Sequence, residues 1–203
     1  MKSVLAIFSS LNGNQGNSSK LANEYLDKIE SNGAVNVQRV DVASLALPHL
    51  TGEEMQAWMT DAAQRTDAQH ALAKYSDEII EAIKHADEIV LAVPMYNFGI
   101  PSSLKAYFDR VARAGITFKY TETGPVGLLE NKTAVVFAAR GGVYAGSDYD
   151  TQTPYLKHFL NFIGISEVKF VYAEGLNMGE EQAQSAFASA SEKIIELSEE
   201  TRH

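Results

Sequence analysis

Three polar segments of this sequence carry residue types that suit the binding of a small ligand. Residues 11–19 are rich in Asn, Gly and Ser, whose side chains and free backbone amides donate hydrogen bonds to phosphate oxygens. Residues Met95–Phe98 bring thioether, phenol and amide groups together. The stretch Ala139–Gly142 ends in paired glycines, which let backbone amides approach a flat ligand closely. The chemistry of all three is that of hydrogen bonding and close contact.

Each polar segment follows an apolar run with the composition of a buried strand. The runs are Val4–Phe8, Glu88–Val93 and Lys132–Ala139. Ligands of an open parallel sheet bind beyond the carboxyl ends of its strands. The sequence therefore predicts that the three segments meet at one edge of a sheet.

The rest of the chain supplies two more strands and the helices that connect them. Val35–Val42 predicts a second strand near an edge, and Val168–Tyr172 a fifth. Apolar residues at helical spacing predict helices after residue 19, over 51–58, 67–85, 104–114 and 154–163, and towards the C-terminus. This alternation predicts one α/β domain over residues 1–203, with a five-stranded parallel sheet and helices on both faces. In the order 2-1-3-4-5, strands one, three and four are neighbours.

Two structural alternatives stay open at this point. Residues 11–19 are also typical of a flexible loop before an N-capped helix, and residues 94–99 of an ordinary turn from strand to helix. The sequence contains neither G-x-x-x-x-G-K-[ST] nor G-x-G-x-x-G, which disfavours nucleotide hydrolysis and a Rossmann dinucleotide site.

Composition excludes several classes of function. The 203 residues carry a net charge of −9, which disfavours nucleic acid or an anionic membrane as partner. Cysteine is absent, so disulfides, thiolate metal sites and thiol nucleophiles are excluded. The five histidines lack paired ligand spacing, and no G-x-S-x-G occurs, so neither a metal site nor a serine hydrolase is predicted. Without an export signal, the cytoplasm is the expected location.

Nearly the whole chain resembles the FMN-dependent NADH:azoreductases, also called FMN-dependent NADH:quinone oxidoreductases. The resemblance rests on VLAIFSS with a later NSS, on VPMYNFGIPSSLKAYFDRVARAG, on FKYTETGPVGL, on ARGG at 139–142 and on FLNFIG. It implies a flavodoxin-like fold and a homodimer with two FMN sites at its interface. It also implies reduction of quinones and azo compounds by NADH, through two-electron transfer of ping-pong type.

The resemblance also implies roles for individual residues. The residues implied to contact FMN are Ser10, Gly16, Asn17, Ser18, Met95, Tyr96, Asn97, Phe98, Ala139, Arg140, Gly141 and Gly142. Those implied to form the substrate pocket are Asn97, Tyr120 and Phe162, and core packing is the alternative for the two aromatic residues. The chemistry belongs to the flavin, so no residue is assigned as acid or base.

This chain departs from the family pattern at three positions. Gly16 and Asn17 replace Ser and Gln, and Ala139 replaces Ser, so some side-chain bonds to FMN are expected to be lost or rerouted. A flavodoxin-type FMN electron carrier without enzyme activity is the alternative function, and a regulatory α/β domain without cofactor is a third. The aromatic segment 117–128 and the polar segment 142–153 favour the enzyme, because they suit the enclosure of a small substrate.

Overall fold

The centre of the fold is a five-stranded parallel sheet, seen in a computed structural model that describes residues 1–33 and 35–200. The strands of the chain are β1 Lys2–Phe8, β2 Val35–Asp41, β3 Glu88–Pro94, β4 Phe118–Thr121, β5 Gly124–Gly127, β6 Thr133–Ala139 and β7 Glu167–Ala173. The sheet has the order β2-β1-β3-β6-β7, and every pairing in it is parallel. This confirms the predicted order, with β2 at an edge.

Helices cover both faces of the sheet because its strands are apolar on both sides. The helices are α1 Asn17–Asn32, α2 Gly52–Met59, α3 Asp67–His85, α4 Ser102–Asp109, α5 Gln152–Ile163 and α6 Glu180–Glu200. Successive residues of a strand point to opposite faces. Accordingly Ile89 and Leu91 pack with α3, α4 and α5, whereas Val90 and Ala92 pack with α1 and α6. All seven residues of β3 are buried, which makes this strand a rigid base for the segment that follows it.

Two predicted elements differ from the structure in the stretch after β3. The helix predicted over 104–114 ends at Asp109, because the N–H groups of Arg110 and Val111 bond to carbonyls three residues back and tighten the last turn. Thr117 then accepts the N–H of Arg113 through its hydroxyl and holds the chain outside the helix. The segment predicted as a loop over 117–128 contains the antiparallel hairpin β4–β5.

A buried ion pair between Glu54 and Arg110 joins α2 to the end of α4. Glu54 lies in the first turn of α2 and is buried. Its two carboxylate oxygens accept bonds from Nε and Nη2 of Arg110, both at 2.7 Å. The guanidinium also donates to the carbonyl of Ala106 at 2.9 Å. The bidentate pair ties α2 to the end of α4.

The described residues lack two features on which other kinds of function depend. No helix within residues 1–33 and 35–200 combines the length and the apolar character needed to cross a bilayer. The same part of the chain holds no group of three or more His, Asp or Glu side chains arranged to bind a metal ion. His203, one of the five histidines, lies outside the described residues.

Candidate functional site

The segment between β1 and α1 ends in a helix start that no side chain caps. A short 3₁₀ turn, Gly13–Gln15, leads to Gly16 at the cap position, which offers no side-chain bond to α1. The first helical hydrogen bond runs from the N–H of Lys20 to the carbonyl of Gly16 at 3.0 Å. The N–H groups of residues 17–19 precede it, and helix geometry leaves them without partners inside the helix. They carry the positive end of the helix dipole.

Two buried hydroxyls lie in this same first turn. Ser18 and Ser19 are both fully buried, and within the described part of the chain neither Oγ atom has a hydrogen-bond partner. Leaving such a group unsatisfied costs about 1–3 kcal/mol. Free amides and unsatisfied hydroxyls at a helix start are the donors that a phosphate group accepts from. The predicted phosphate segment therefore fits a phosphate ligand, although Ser19 was not among the residues implied to contact FMN.

Gly16 is required by the close packing of this segment. A Cβ atom at this position would lie 2.1 Å from Oγ of Ser10, far inside contact distance. The same Oγ accepts the N–H of Asn12 at 3.2 Å, so the Ser10 side chain is already part of the loop. The glycine that departs from the family pattern thus makes room for the Ser10 hydroxyl. Asn17, the other departure in this segment, is exposed.

The segment after β3 is a tight turn with an unusual backbone. Tyr96 and Gly99 exchange two backbone hydrogen bonds, both of 3.0 Å. Between them Asn97 and Phe98 have φ angles of 50° and 64°. Two left-handed residues in a two-residue loop define a type I′ turn, in which Asn is common and Phe is not. For a residue such as Phe the left-handed conformation costs roughly 1–2 kcal/mol, so surrounding contacts must hold the turn.

The segment after β6 faces this turn across an open cavity. Gly141 and Gly142 accept backbone bonds from Asn177 and Gly175, which lie beyond β7. The cavity has a volume of about 420 Å³ and is lined by Met95, Asn97, Phe98, Gly141, Gly142, Tyr144, Asn177 and Met178. Among the described residues, no acceptor is found for the N–H groups at positions 97, 98, 141 and 142. The four residues that carry these N–H groups all line the cavity, together with the apolar side chains of Met95 and Met178.

Three of the residues that were implied to contact FMN, namely Tyr96, Ala139 and Arg140, make hydrogen bonds that support the site. The phenol of Tyr96 accepts the N–H of Leu11 at 3.2 Å, which joins the turn to the segment after β1. The carbonyl of Ala139 accepts the N–H of Met95 at 3.1 Å and joins the ends of β6 and β3. Arg140 is buried, with its guanidinium directed into the protein, so it offers the cavity no charge. These residues position the site without presenting their polar groups to it.

Tyr120 and Phe162 do not line the cavity of their own chain. Phe162 packs on Phe118 with ring centres 4.2 Å apart, and Phe118 is itself buried. Tyr120 lies edge-on to Phe118 at 5.4 Å and is 74% exposed. Packing against the hairpin therefore accounts for Phe162, whereas Tyr120 is presented to solvent.

Sequence reasoning missed three residues of the cavity wall. Tyr144 lies in the polar segment before α5, where the chain carries no regular pattern, and its ring packs edge-on to Phe98 at 5.7 Å. Asn177 and Met178 follow β7, a strand to which no site was assigned. The sequence did contain a signal for Asn177 and Met178, since the carboxyl end of β7 lies beside that of β6 in the predicted strand order.

The buried guanidinium of Arg140 holds together the strand ends behind the cavity. It bonds to Asp150 at 3.0 Å and to Glu174 at 2.9 Å, and it lies over the ring of Tyr172 with 4.9 Å to the centroid. Burial raises the pKa of Tyr172 and would by itself raise that of Asp150. Hydrogen bonds from Thr153 and Arg140 outweigh burial at Asp150, so the pKa of this carboxyl lies below its ordinary value.

A second cavity of about 550 Å³ lies beside the first and shares Phe98 with it. Its wall is formed by α4 over its whole length, by the start of α5 and by the stretch around Leu50. Its lining is mostly apolar, with Ile100 and Tyr155 among the larger side chains. The edge of the sheet thus carries two adjoining cavities, one lined by free backbone donors and one by apolar groups.

Known proteins resemble this chain over almost its whole length. A model of a protein family described by its flavodoxin-like fold matches residues 2–197. An FMN-dependent NADH:quinone oxidoreductase of Alteromonas mediterranea is 85% identical over 97% of this chain and 98% of its own length. One from Cellvibrio japonicus is 55% identical over 96% and 97% of the two chains.

Solved structures show the same likeness. An azoreductase from Bacillus anthracis superposes with a TM-score of 0.89 at 26% identity, covering 98% of this chain and 99% of that one. An FMN-dependent NADH-azoreductase of the same species, solved in complex with FMN, gives a TM-score of 0.85 at 28% identity, covering 98% and 100%.

Proposed function

We propose that this chain, which belongs to the flavodoxin-like family of FMN-dependent NADH:quinone oxidoreductases, forms a cytoplasmic homodimer that reduces quinones and azo compounds. The chain is an enzyme that depends on FMN and uses NADH as electron donor. Its acceptors, the order of its reaction steps and the roles of its residues are the content of the proposal.

The observation that carries the proposal is the pairing of two kinds of donor at one edge of the sheet. The start of α1 holds buried hydroxyls that lack partners, and the cavity beyond β3 and β6 holds four free backbone N–H groups. A phosphate at one end and a flat polar ring at the other satisfy both sets. FMN has these two parts.

The residues that would hold FMN follow from this pairing. Ser18, Ser19 and the amides at the start of α1 would bind the phosphate. The amides of Asn97, Phe98, Gly141 and Gly142 would contact the ring, where fixed donors stabilise the negative charge that reduction brings. The chemistry that FMN supplies when bound is two-electron, hydride-level oxidation and reduction. The protein orients the substrates beside the ring and limits the access of water.

A shared cavity explains the proposed ping-pong order. The turn at Asn97–Phe98 forms one wall of the cavity, and Phe98 also lines the larger apolar cavity next to it. NADH and a planar acceptor would use this space in turn, because both must reach the same face of the ring. We therefore expect NAD⁺ to leave before the acceptor binds.

Initial-rate kinetics test the proposal. The purified protein loaded with FMN is mixed with NADH and a panel of quinones and azo dyes, and NADH oxidation is followed at several concentrations of each substrate. Parallel lines in double-reciprocal plots are expected. Intersecting lines would show that both substrates bind together, and an absence of NADH oxidation would indicate an electron carrier.

Two exposed aromatic side chains support the homodimer. Tyr120, at the hairpin, is 74% exposed, and Phe98, at the turn, is 51% exposed. The larger cavity beside Phe98 is open and apolar. A contiguous exposed apolar patch is a feature of protein–protein interfaces and of ligand grooves. A twofold dimer whose interface passes beside the flavin would bring the hairpin of each protomer to the pocket of the other.

Dilution tests the dimer. Sedimentation velocity measures the dissociation constant, and activity per chain is expected to fall below that concentration. Tyr120→Ala is expected to raise KM for quinones, while Tyr75→Ala, at an exposed tyrosine of α3, serves as control. A fully active monomer at assay concentration would refute the shared pocket.

A further inference from the structure

Gln152, the first residue of α5, joins the two segments that flank the smaller cavity. Its side chain is fully buried. Its Oε1 accepts a bond from Nε of Arg140 at 3.2 Å, and its Nε2 donates to the carbonyls of Pro94 at 3.0 Å and Gly99 at 3.4 Å. Arginine can only donate and carbonyls can only accept, so these partners fix the orientation of the amide.

The two sides of this bridge lead directly to the free amides of the cavity. Arg140 immediately precedes Gly141 and Gly142 at the end of β6. Pro94 ends β3, and Gly99 closes the turn, where its carbonyl also accepts the N–H of Tyr96. One side-chain amide thus spans the gap between the end of β6 and the turn.

The charge of Arg140 does not depend on Gln152. Asp150 and Glu174 pair with the guanidinium, and the hydroxyl of Thr153 accepts from Nη2 at 2.8 Å. Among the described residues, by contrast, no other side chain donates to the carbonyls of Pro94 and Gly99. Its neighbour Thr151 adds a bond from its hydroxyl to the carbonyl of Phe98, whose φ angle of 64° is left-handed.

We infer that Gln152 is a positioning residue, whose amide holds the left-handed turn at Tyr96–Gly99 in register with Gly141–Gly142. It thereby sets the spacing of the slot that takes the flavin ring. The inference rests on the proposed function for the identity of the ligand. Its mechanical part, the support of the turn, is a property of the protein alone.

Two substitutions separate the donated bonds from packing. Gln152→Glu keeps an acceptor for Arg140 but loses both donations and places a carboxylate beside two carbonyls. Gln152→Leu keeps much of the volume and loses every bond. Gln184→Glu, at an exposed position of α6, is the matched control for the added charge.

Amide hydrogen exchange by NMR in the flavin-free protein measures the support of the turn. The N–H groups of Tyr96 and Gly99 are bonded within the turn and report its opening. Their exchange is expected to quicken about tenfold or more in both Gln152 variants, as for the loss of one to two hydrogen bonds. Unchanged exchange at Leu91 and Val136, in the buried sheet, shows that each variant is folded.

Binding measurements test the link to the ring. FMN and riboflavin affinities are expected to fall by the same factor in both variants, because the turn would contact the ring that the two ligands share. The visible circular dichroism of bound FMN is expected to change as well. Control-like exchange in Gln152→Glu overturns the inference, and so does a loss confined to FMN. Failure of the wild-type protein to bind FMN would instead refute the proposed function, and the exchange data would still decide whether Gln152 supports the turn.

Discussion

The two ends of the candidate site satisfy their polar groups in opposite ways. At the start of α1, two buried hydroxyls and the first amides of the helix have no protein partner within the described residues. Behind the cavity, the guanidinium of Arg140 is bonded to two carboxylates, an amide and a hydroxyl. We call these regions the open end and the closed end.

This difference indicates how each end gains from a ligand. The buried hydroxyls of the open end have no protein acceptor within the described residues, so a phosphate that accepts from them gains their hydrogen bonds. The closed end has its bonds in place before any ligand arrives, so its gain is preorganisation of the ring slot. Substitutions at the open end should therefore affect the binding of the phosphate, whereas those at the closed end should affect the stability of the fold and the shape of the ring slot.

Removal of Arg140 should have the largest effect. Arg140→Met leaves Asp150 and Glu174, whose side chains are 6% and 13% exposed, without their cation. Loss of one partner from a buried ion pair typically costs about 3–5 kcal/mol. Denaturant unfolding of the flavin-free protein measures this loss. Arg39→Met, which breaks an exposed pair with Glu30, is the control and should cost less than about 1 kcal/mol. Equal costs would contradict the closed character of this end.

Removal of donors at the open end should give the next largest effect, on binding alone. Asn17→Ala with Ser18→Ala is expected to weaken FMN by about 1–3 kcal/mol, as for lost charge-assisted bonds. Riboflavin, which lacks the phosphate, should bind as it does to the wild-type protein. Fluorescence titration measures both affinities.

The same double variant should leave the flavin-free protein as stable as before or slightly more stable, since the hydroxyl of Ser18 has no protein partner to lose within the described residues. Ser185→Ala, on the exposed surface of α6, is the control. A matching loss of riboflavin affinity would place these residues away from the phosphate.

A methyl group at Gly142 should have a smaller effect, and it should weaken the binding of FMN and of riboflavin alike. Its Cβ atom would lie 2.6 Å from the phenol oxygen of Tyr144, so that ring must move at the cavity wall. Overpacking of this kind costs about 1 kcal/mol or somewhat more when a side-chain tip can yield. FMN and riboflavin should weaken by the same factor in Gly142→Ala. Gly52→Ala, where the added atom meets open space, is the control.

The smallest expected effect is that of Asp150→Asn on the free energy of unfolding at low pH. The folded-state pKa of Asp150 lies below its ordinary value of 3.8, because hydrogen bonds from Thr153 and Arg140 outweigh burial. Its contribution to stability is therefore complete above that pH and is lost as pH falls through the folded-state pKa. Asp150→Asn should flatten the decline of the unfolding free energy below pH 3.8. Asp148→Asn, at an exposed position, should follow the wild-type curve.

Patterns in the sequence were enough to predict the sheet, its strand order and the edge of the sheet where the candidate site lies. Apolar runs and the turn residues that end them are local signals, readable within about ten residues. They located all five sheet strands and the meeting of residues 11–19, 95–98 and 139–142, while the family motifs pointed to the cofactor. The predicted elements erred mainly at their ends, as in the helix that stops at Asp109.

The packing of the folded chain was needed to identify the side chains that line the cavity and those that support it. Gln152 and Arg140 are joined to groups on other elements, and Glu54 meets Arg110 across 56 residues of sequence. Tyr144 and Asn177 reach the cavity from segments that have no periodic pattern. The physical reason is that a buried polar group takes its partners from whatever elements pack beside it. Those partners are fixed by the packing of the whole chain, and no local pattern of residues specifies them.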